Sequence, residues 1–263
     1  MEFERKDRYN VADLVEIVRI LRAPGGCPWD AEQTHQSIRN NLIEETYEVA
    51  DAIDREDAAL LCEELGDLLL QVVMHTRMET ELGGFDFDDV CDGICQKLIY
   101  RHPHVFGQVA VGSSDEVLQN WEALKNTEKG RETAAQRLDS VPPSLPALMR
   151  AGKVQKRAAA FGFAYETVQD ALADLRSELE ELEQAVEDGQ GMQEELGDLL
   201  FSAVNVARFV GADAEEALTA STDKFARRVK AVEAMAGDEN LAGLDARQLD
   251  VLWKQAKAEE KQP

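Results

Sequence analysis

The heptapeptide Glu-Glu-Leu-Gly-Asp-Leu-Leu stands twice in this chain, at residues 63–69 and again, letter for letter, at residues 194–200. Each copy is embedded in a longer repeat. Glu45 and Glu48 precede the first copy, and Glu178 and Glu181 precede the second. Lys97 and Arg101, then Trp121 and Lys125, follow the first; Lys224 and Arg228, then Trp253 and Lys257, follow the second. Four elements in the same order twice point to internal duplication, so the chain is constrained to fold as two units of one kind.

The units are helical. Val11, Leu14, Val15, Val18 and Leu21 recur at the spacing of one helical face. Further helices are expected over about 38–53, 58–82 and from Asp86 or Asp88 to about 101. One capped by Ser113 and Glu116 follows, carrying Trp121. In the second half, helices are expected near 146–161, 168–187, 192–210, 214–236 and 245–257, with glycines between them. Pro146 suits the first position of its helix, where an amide hydrogen has no partner. Alternating β patterns are essentially absent, Val109-Ala-Val111 being a weak exception. The fold class is all-α, with domains at 1–128 and 146–263 and a polar linker at 129–145.

Residues three apart on a helix share a face. Glu45 with Glu48 and Glu64 with Asp67 therefore each present two carboxylates, as do Glu178 with Glu181 and Glu195 with Asp198. If each helix pair packs antiparallel, four carboxylates converge, and like charges that close repel unless neutralised. A hard divalent cation with oxygen ligands does so, and magnesium shares its shell with substrate phosphates. A carboxylate not committed to the ion can take a proton from water. Lys and Arg from the following helix can grip phosphate. Gly66 and Gly197, inside their helices, suggest close approach of a neighbouring helix or ligand. A di-iron bundle would need Glu-x-x-His, and the second half has no histidine. The four histidines receive no role.

Composition narrows the function. The formal net charge of −24 repels nucleic acid. Neither a signal core nor a membrane-length apolar run is present, and the four cysteines lack a zinc clip. A cytoplasmic protein with reduced thiols is expected, with neither nucleic acid nor a membrane as partner.

Glu44-Glu45-x-x-Glu48 followed by Glu64-x-x-Asp67 resembles the signature of the MazG family of all-α nucleoside triphosphate pyrophosphohydrolases. The resemblance extends to Gly26-Cys-Pro-Trp-Asp30, Arg101-His-Pro-His-Val-Phe106, Ser144-Leu-Pro-Ala-Leu-Met-Arg150 and the tandem arrangement of halves. It implies cleavage of a nucleoside triphosphate between the α- and β-phosphates, dependent on Mg²⁺ (with Mn²⁺ as its substitute), by a homodimer. The implied metal ligands are Glu178, Glu181, Glu195 and Asp198, with Glu45, Glu48, Glu64 and Asp67 in the first half. The implied nucleotide contacts are Lys224, Arg228, Trp253 and Lys257, with Lys97, Arg101, Trp121 and Lys125 as counterparts. Tandem members resembling this chain are active in the second half, which is taken as the working site, although Ser177 stands there where the first half has Glu44. The rivals are a non-catalytic acidic scaffold and a magnesium-dependent nucleotide sensor.

Overall fold

The computed structural model describes residues 3–237 and 241–260. It divides the chain into two compact units, Met1–Lys125 and Asn126–Pro263. No described residue lies in a strand. The first unit holds α1 (Val11–Arg22), α2 (Pro28–Glu32), α3 (Arg39–Asp54), α4 (Ala58–Glu81), α5 (Phe87–Arg101), α6 (Pro103–Phe106) and most of α7 (Ser114–Glu128). The second holds α8 (Ala134–Asp139), α9 (Ala147–Ala159), α10 (Val168–Asp188), α11 (Met192–Phe209), α12 (Ala214–Ala236) and α13 (Ala246–Glu259).

Several helix starts are fixed by short polar side chains that take up otherwise unpaired amides. Asn10 caps α1 and Thr167 caps α10, each closed into a box by an aspartate three residues on. Asp86, not Asp88, caps α5. Ser113 Oγ accepts from Glu116 N, but the Glu116 carboxylate reaches back to Gly112 N rather than to Ser113. Pro146 sits one position before the first helical residue of α9, so it sets the entry of the chain without occupying the helix. The stretch 129–145 contains α8, tied to α9 by Arg157, whose guanidinium donates to Arg137 O at 2.6 Å and to Ser140 Oγ.

Two helical hairpins dominate. α3 and α4 are joined through Glu56, which adopts a left-handed φ of 53°. α10 and α11 are joined through Gly189 and Gly191, at φ of 70° and 76°, where glycine carries no steric penalty. In the first unit, Val18 of α1, Ile38, and Val73, Met74 and Met78 of α4 form the core. These α4 residues lie C-terminal to the first heptapeptide, so burial anchors one end of α4 and leaves the acidic end accessible.

At the glycines inside the repeat, the expected close approach of a neighbouring helix is not seen. A Cβ built on Gly66 or Gly197 meets no described atom within 4 Å, so no neighbouring helix requires either. Mid-helix glycine costs roughly 1 kcal/mol relative to alanine. Gly66→Ala is therefore expected to raise unfolding stability by about 1 kcal/mol in a urea titration; a loss of stability would mean that something else approaches this face.

Candidate metal and nucleotide site

In each hairpin the carboxylates converge. Oxygen atoms of Glu45, Glu48 and Glu64 lie within 4.8 Å of one another, as do those of Glu178, Glu181 and Glu195. Asp67 and Asp198 are within electrostatic reach: each helps push up the neighbouring glutamate, Glu45 or Glu178. Desolvation is the largest cause of the raised pKa at Glu45, Glu64, Glu178 and Glu195, and repulsion from the surrounding carboxylates adds to it. An all-oxygen set of crowded, partly desolvated carboxylates fits a hard divalent cation and disfavours a soft one.

Ser177, where the first half has Glu44, has a defined place. Its hydroxyl donates to Glu181 Oε1 at 3.3 Å. The second cluster thus gains a neutral hydrogen-bond donor where another charge would add repulsion. Glu44 itself is exposed.

The basic and aromatic parts of the repeat pair with each other. Arg101 is 6 % exposed and its guanidinium lies 5.3 Å from the Trp121 ring. Arg228 lies 5.8 Å from the Trp253 ring. Both halves therefore use the repeated Arg and Trp as a cation–π pair. Arg228 also pairs with Glu260 at 2.6 Å, while Trp253 packs on Phe225. Lys125 pairs with Glu122 at 3.1 Å; Lys224 and Lys257 are exposed and Lys97 is half-buried. The carboxylates are brought together within each hairpin, whereas the described ion pair of Arg228 runs to Glu260 rather than to them.

Two polar chains escaped the sequence reading. Ser202 Oγ donates to Asp174 Oδ2 at 2.6 Å, and interaction with the Asp174 carboxylate, with burial adding to it, pushes the Tyr165 pKa up to about 12. Asp174 is one turn before Glu178 and Ser202 one turn after Asp198, so helical spacing alone could have flagged this extension of the acidic face. The other chain involves histidines left without a role. His35 Nδ1 lies 2.7 Å from His75 Nδ1, and His35 Nε2 lies 2.9 Å from Glu79 Oε1. This links the segment before α3 to α4, and burial pushes the His75 pKa down. The four cysteines are free thiols, and no described helix is long and apolar enough to cross a membrane.

Paired helices that gather carboxylates, with no histidine or thiol in the cluster, define an all-α protein suited to a hard cation. Residues 33–106 and 166–233 each match the MazG nucleotide pyrophosphohydrolase domain, and the chain belongs to that family. It is 45 % identical over 254 residues to a protein of Escherichia coli K12 named nucleoside triphosphate pyrophosphohydrolase, covering 94 % of this chain and 97 % of that one. It is 41 % identical over 247 residues to the Thermotoga maritima nucleoside triphosphate pyrophosphohydrolase/pyrophosphatase MazG, covering 93 % and 94 %.

A carboxyl with a raised folded-state pKa holds its proton more tightly in the folded chain. Its contribution therefore favours folding at low pH and is lost as pH rises from the ordinary carboxylate range through the raised value. Metal-free protein is expected to lose thermal stability across that window. Glu195→Gln should flatten the loss and raise the metal-free Tm at pH 7, while reducing the gain in Tm on adding Mg²⁺. An unchanged pH profile in a melting series would refute the repulsion.

Proposed function

We propose that this chain is a Mg²⁺-dependent nucleoside triphosphate pyrophosphohydrolase, acting in the cytoplasm to control or clean the nucleotide pool. The observation that carries the reading is the convergence of three glutamate oxygens within 4.8 Å on a helix pair, present twice, in a chain of this family. In the second half, Glu178, Glu181, Glu195 and Asp198 would hold the ion, whose charge would offset their repulsion and give triphosphate oxygens a cationic partner on an otherwise anionic surface.

Water then attacks the α-phosphorus, giving a nucleoside monophosphate and pyrophosphate. A carboxylate of the cluster not fully committed to the ion takes the proton from that water. Lys224 is exposed and available to phosphate oxygens. Arg228 joins it by exchanging Glu260 for phosphate, another anionic oxygen partner.

A homodimer is proposed on independent grounds. The carboxylate-bearing hairpin exposes Leu179, Val186 and Leu196 to 46, 59 and 47 %, apolar surface that a second copy would cover. Sedimentation at twice the mass of one chain supports this; monomer behaviour contradicts it.

Hydrolysis in ¹⁸O-labelled water tests the chemistry. Label is expected in the monophosphate, with none in pyrophosphate. Glu181→Gln should lower kcat by at least about 100-fold, since even outer-shell metal partners typically cost 10–100-fold. Glu48→Gln, in the half taken as secondary, should cost far less. Label in pyrophosphate, or release of inorganic phosphate with diphosphate, would overturn the reaction. An inert scaffold or a sensor would show no turnover at all.

A further inference from the structure

His35 sits in the turn that leads into α3 and meets α4 through two contacts. Its Nδ1 lies 2.7 Å from His75 Nδ1, and its Nε2 lies 2.9 Å from Glu79 Oε1. The imidazole planes are 2° apart and their centroids 5.0 Å apart. That separation is the nitrogen–nitrogen distance plus both ring radii, so the rings lie edge to edge with the two nitrogens pointing at each other. Such a contact holds one proton: two bare nitrogens repel, and so do two N–H groups. The Glu79 carboxylate only accepts, which puts the proton of a neutral His35 on Nε2 and leaves its Nδ1 bare. His75 must then carry its proton on Nδ1, and its Nε2 is bare. The structure agrees, because His75 Nε2 is enclosed and meets no partner among the described residues.

A further proton finds no good place in this chain. On His35 Nδ1 it opposes the N–H of His75, and on His75 Nε2 it makes an enclosed donor without an acceptor. Burial, with the charge of His35 adding to it, accordingly pushes the His75 pKa down. An imidazole that binds protons less tightly when closed than when open favours opening as pH falls below the ordinary histidine pKa of about 6.5. The other charged groups on the packed elements are engaged elsewhere or exposed. On α4, Arg77 pairs with Glu81, which also holds Arg22 of α1. Arg19 pairs with Glu16 within α1, and Arg39 at the start of α3 bonds to Asn40. Asp86 and Asp89 close the capping box of α5. Glu32 and Asp88 are exposed, and Asp30 is half-buried.

We propose that His35, His75 and Glu79 form a pH-sensitive latch, closed while both imidazoles are neutral and released by protonation below the ordinary histidine range, which frees residues 33–37 from α4. What the latch holds is the entry to α3, the helix that carries Glu45 and Glu48. Release therefore loosens the first carboxylate hairpin where its chain enters. The response is confined to the first unit, because the second has no histidine. The crowded carboxylates of the same hairpin act with the opposite sign. The raised pKa values of Glu45 and Glu64 favour the folded chain as pH falls, so they do not produce a loosening in acid.

The test is amide hydrogen exchange followed by NMR on the full-length protein, with each rate corrected for the intrinsic pH dependence of exchange. The Ile38 and Arg39 amides donate to the Thr34 and Gln36 carbonyls within the held turn and report its opening. From about pH 7.5 to about pH 5.5 their protection is expected to fall severalfold, up to about the tenfold that one proton allows one unit below a pKa of about 6.5. Amides of α11, in the unit without histidine, should show no such fall. His75→Asn sets an uncharged amide near the Nδ1 position, able to donate to a neutral His35 or accept from a charged one, and should keep the turn protected at both pH values. His35→Ala should leave the turn poorly protected already at the higher pH, with α11 protection unchanged as proof that the chain is folded. Unchanged protection of the wild-type turn in acid would overturn the latch. So would an equal fall in α11, a fall in His75→Asn as large as in wild type, or full protection in His35→Ala.

Discussion

Mutual repulsion among carboxylates is the constraint on which this structure turns. Two glutamates on one helix and one on its neighbour are gathered within a few ångströms, and a flexible chain would spread them apart. The hairpins prevent this. Their turns are short and held by left-handed residues, Glu56 in one half and Gly189 with Gly191 in the other. In the first unit, the clamp comes from burial of Val73, Met74 and Met78 beyond the acidic segment. Apolar packing at one end of α4 thus holds charge together at the other.

The two halves solve the same electrostatic problem with different surroundings. The first keeps Glu44 at the head of its cluster, whereas the second substitutes Ser177, whose hydroxyl donates to Glu181. The second also extends its acidic face through Asp174, held by Ser202. A hydrogen-bonded carboxylate at that position is fixed in orientation. These are differences in which groups surround the two carboxylate clusters, and the repeated heptapeptides alone do not show them.

Much of this was legible in the sequence because its causes are local. Helices such as α1 and α10 announce themselves through one apolar face and a capping residue, and the converging glutamates follow from three-residue spacing. The short helices α2, α6 and α8 carry too few turns for periodicity to register. The pairing of Arg101 with Trp121 and of Arg228 with Trp253 was visible as repeated order but not as contact, since ordering along a chain does not reveal which side chains meet. The histidine chain was not legible, since spacing along the sequence does not show that His35 meets His75 and Glu79 of α4. At Gly66 and Gly197 the packing of neighbouring helices supplies no steric reason for glycine.

Binding of the ion itself is the most direct measure of whether the fold holds these carboxylates together for a cation. Mn²⁺, a spectroscopic stand-in for Mg²⁺, can be titrated into wild type, Glu48→Gln and Glu181→Gln and followed by loss of the free-ion EPR signal. The expected result is saturable binding that Glu181→Gln weakens at least tenfold at the second-half site, while Glu48→Gln leaves that site intact. Equal binding by wild type and Glu181→Gln would contradict the assignment of these carboxylates as its ligands.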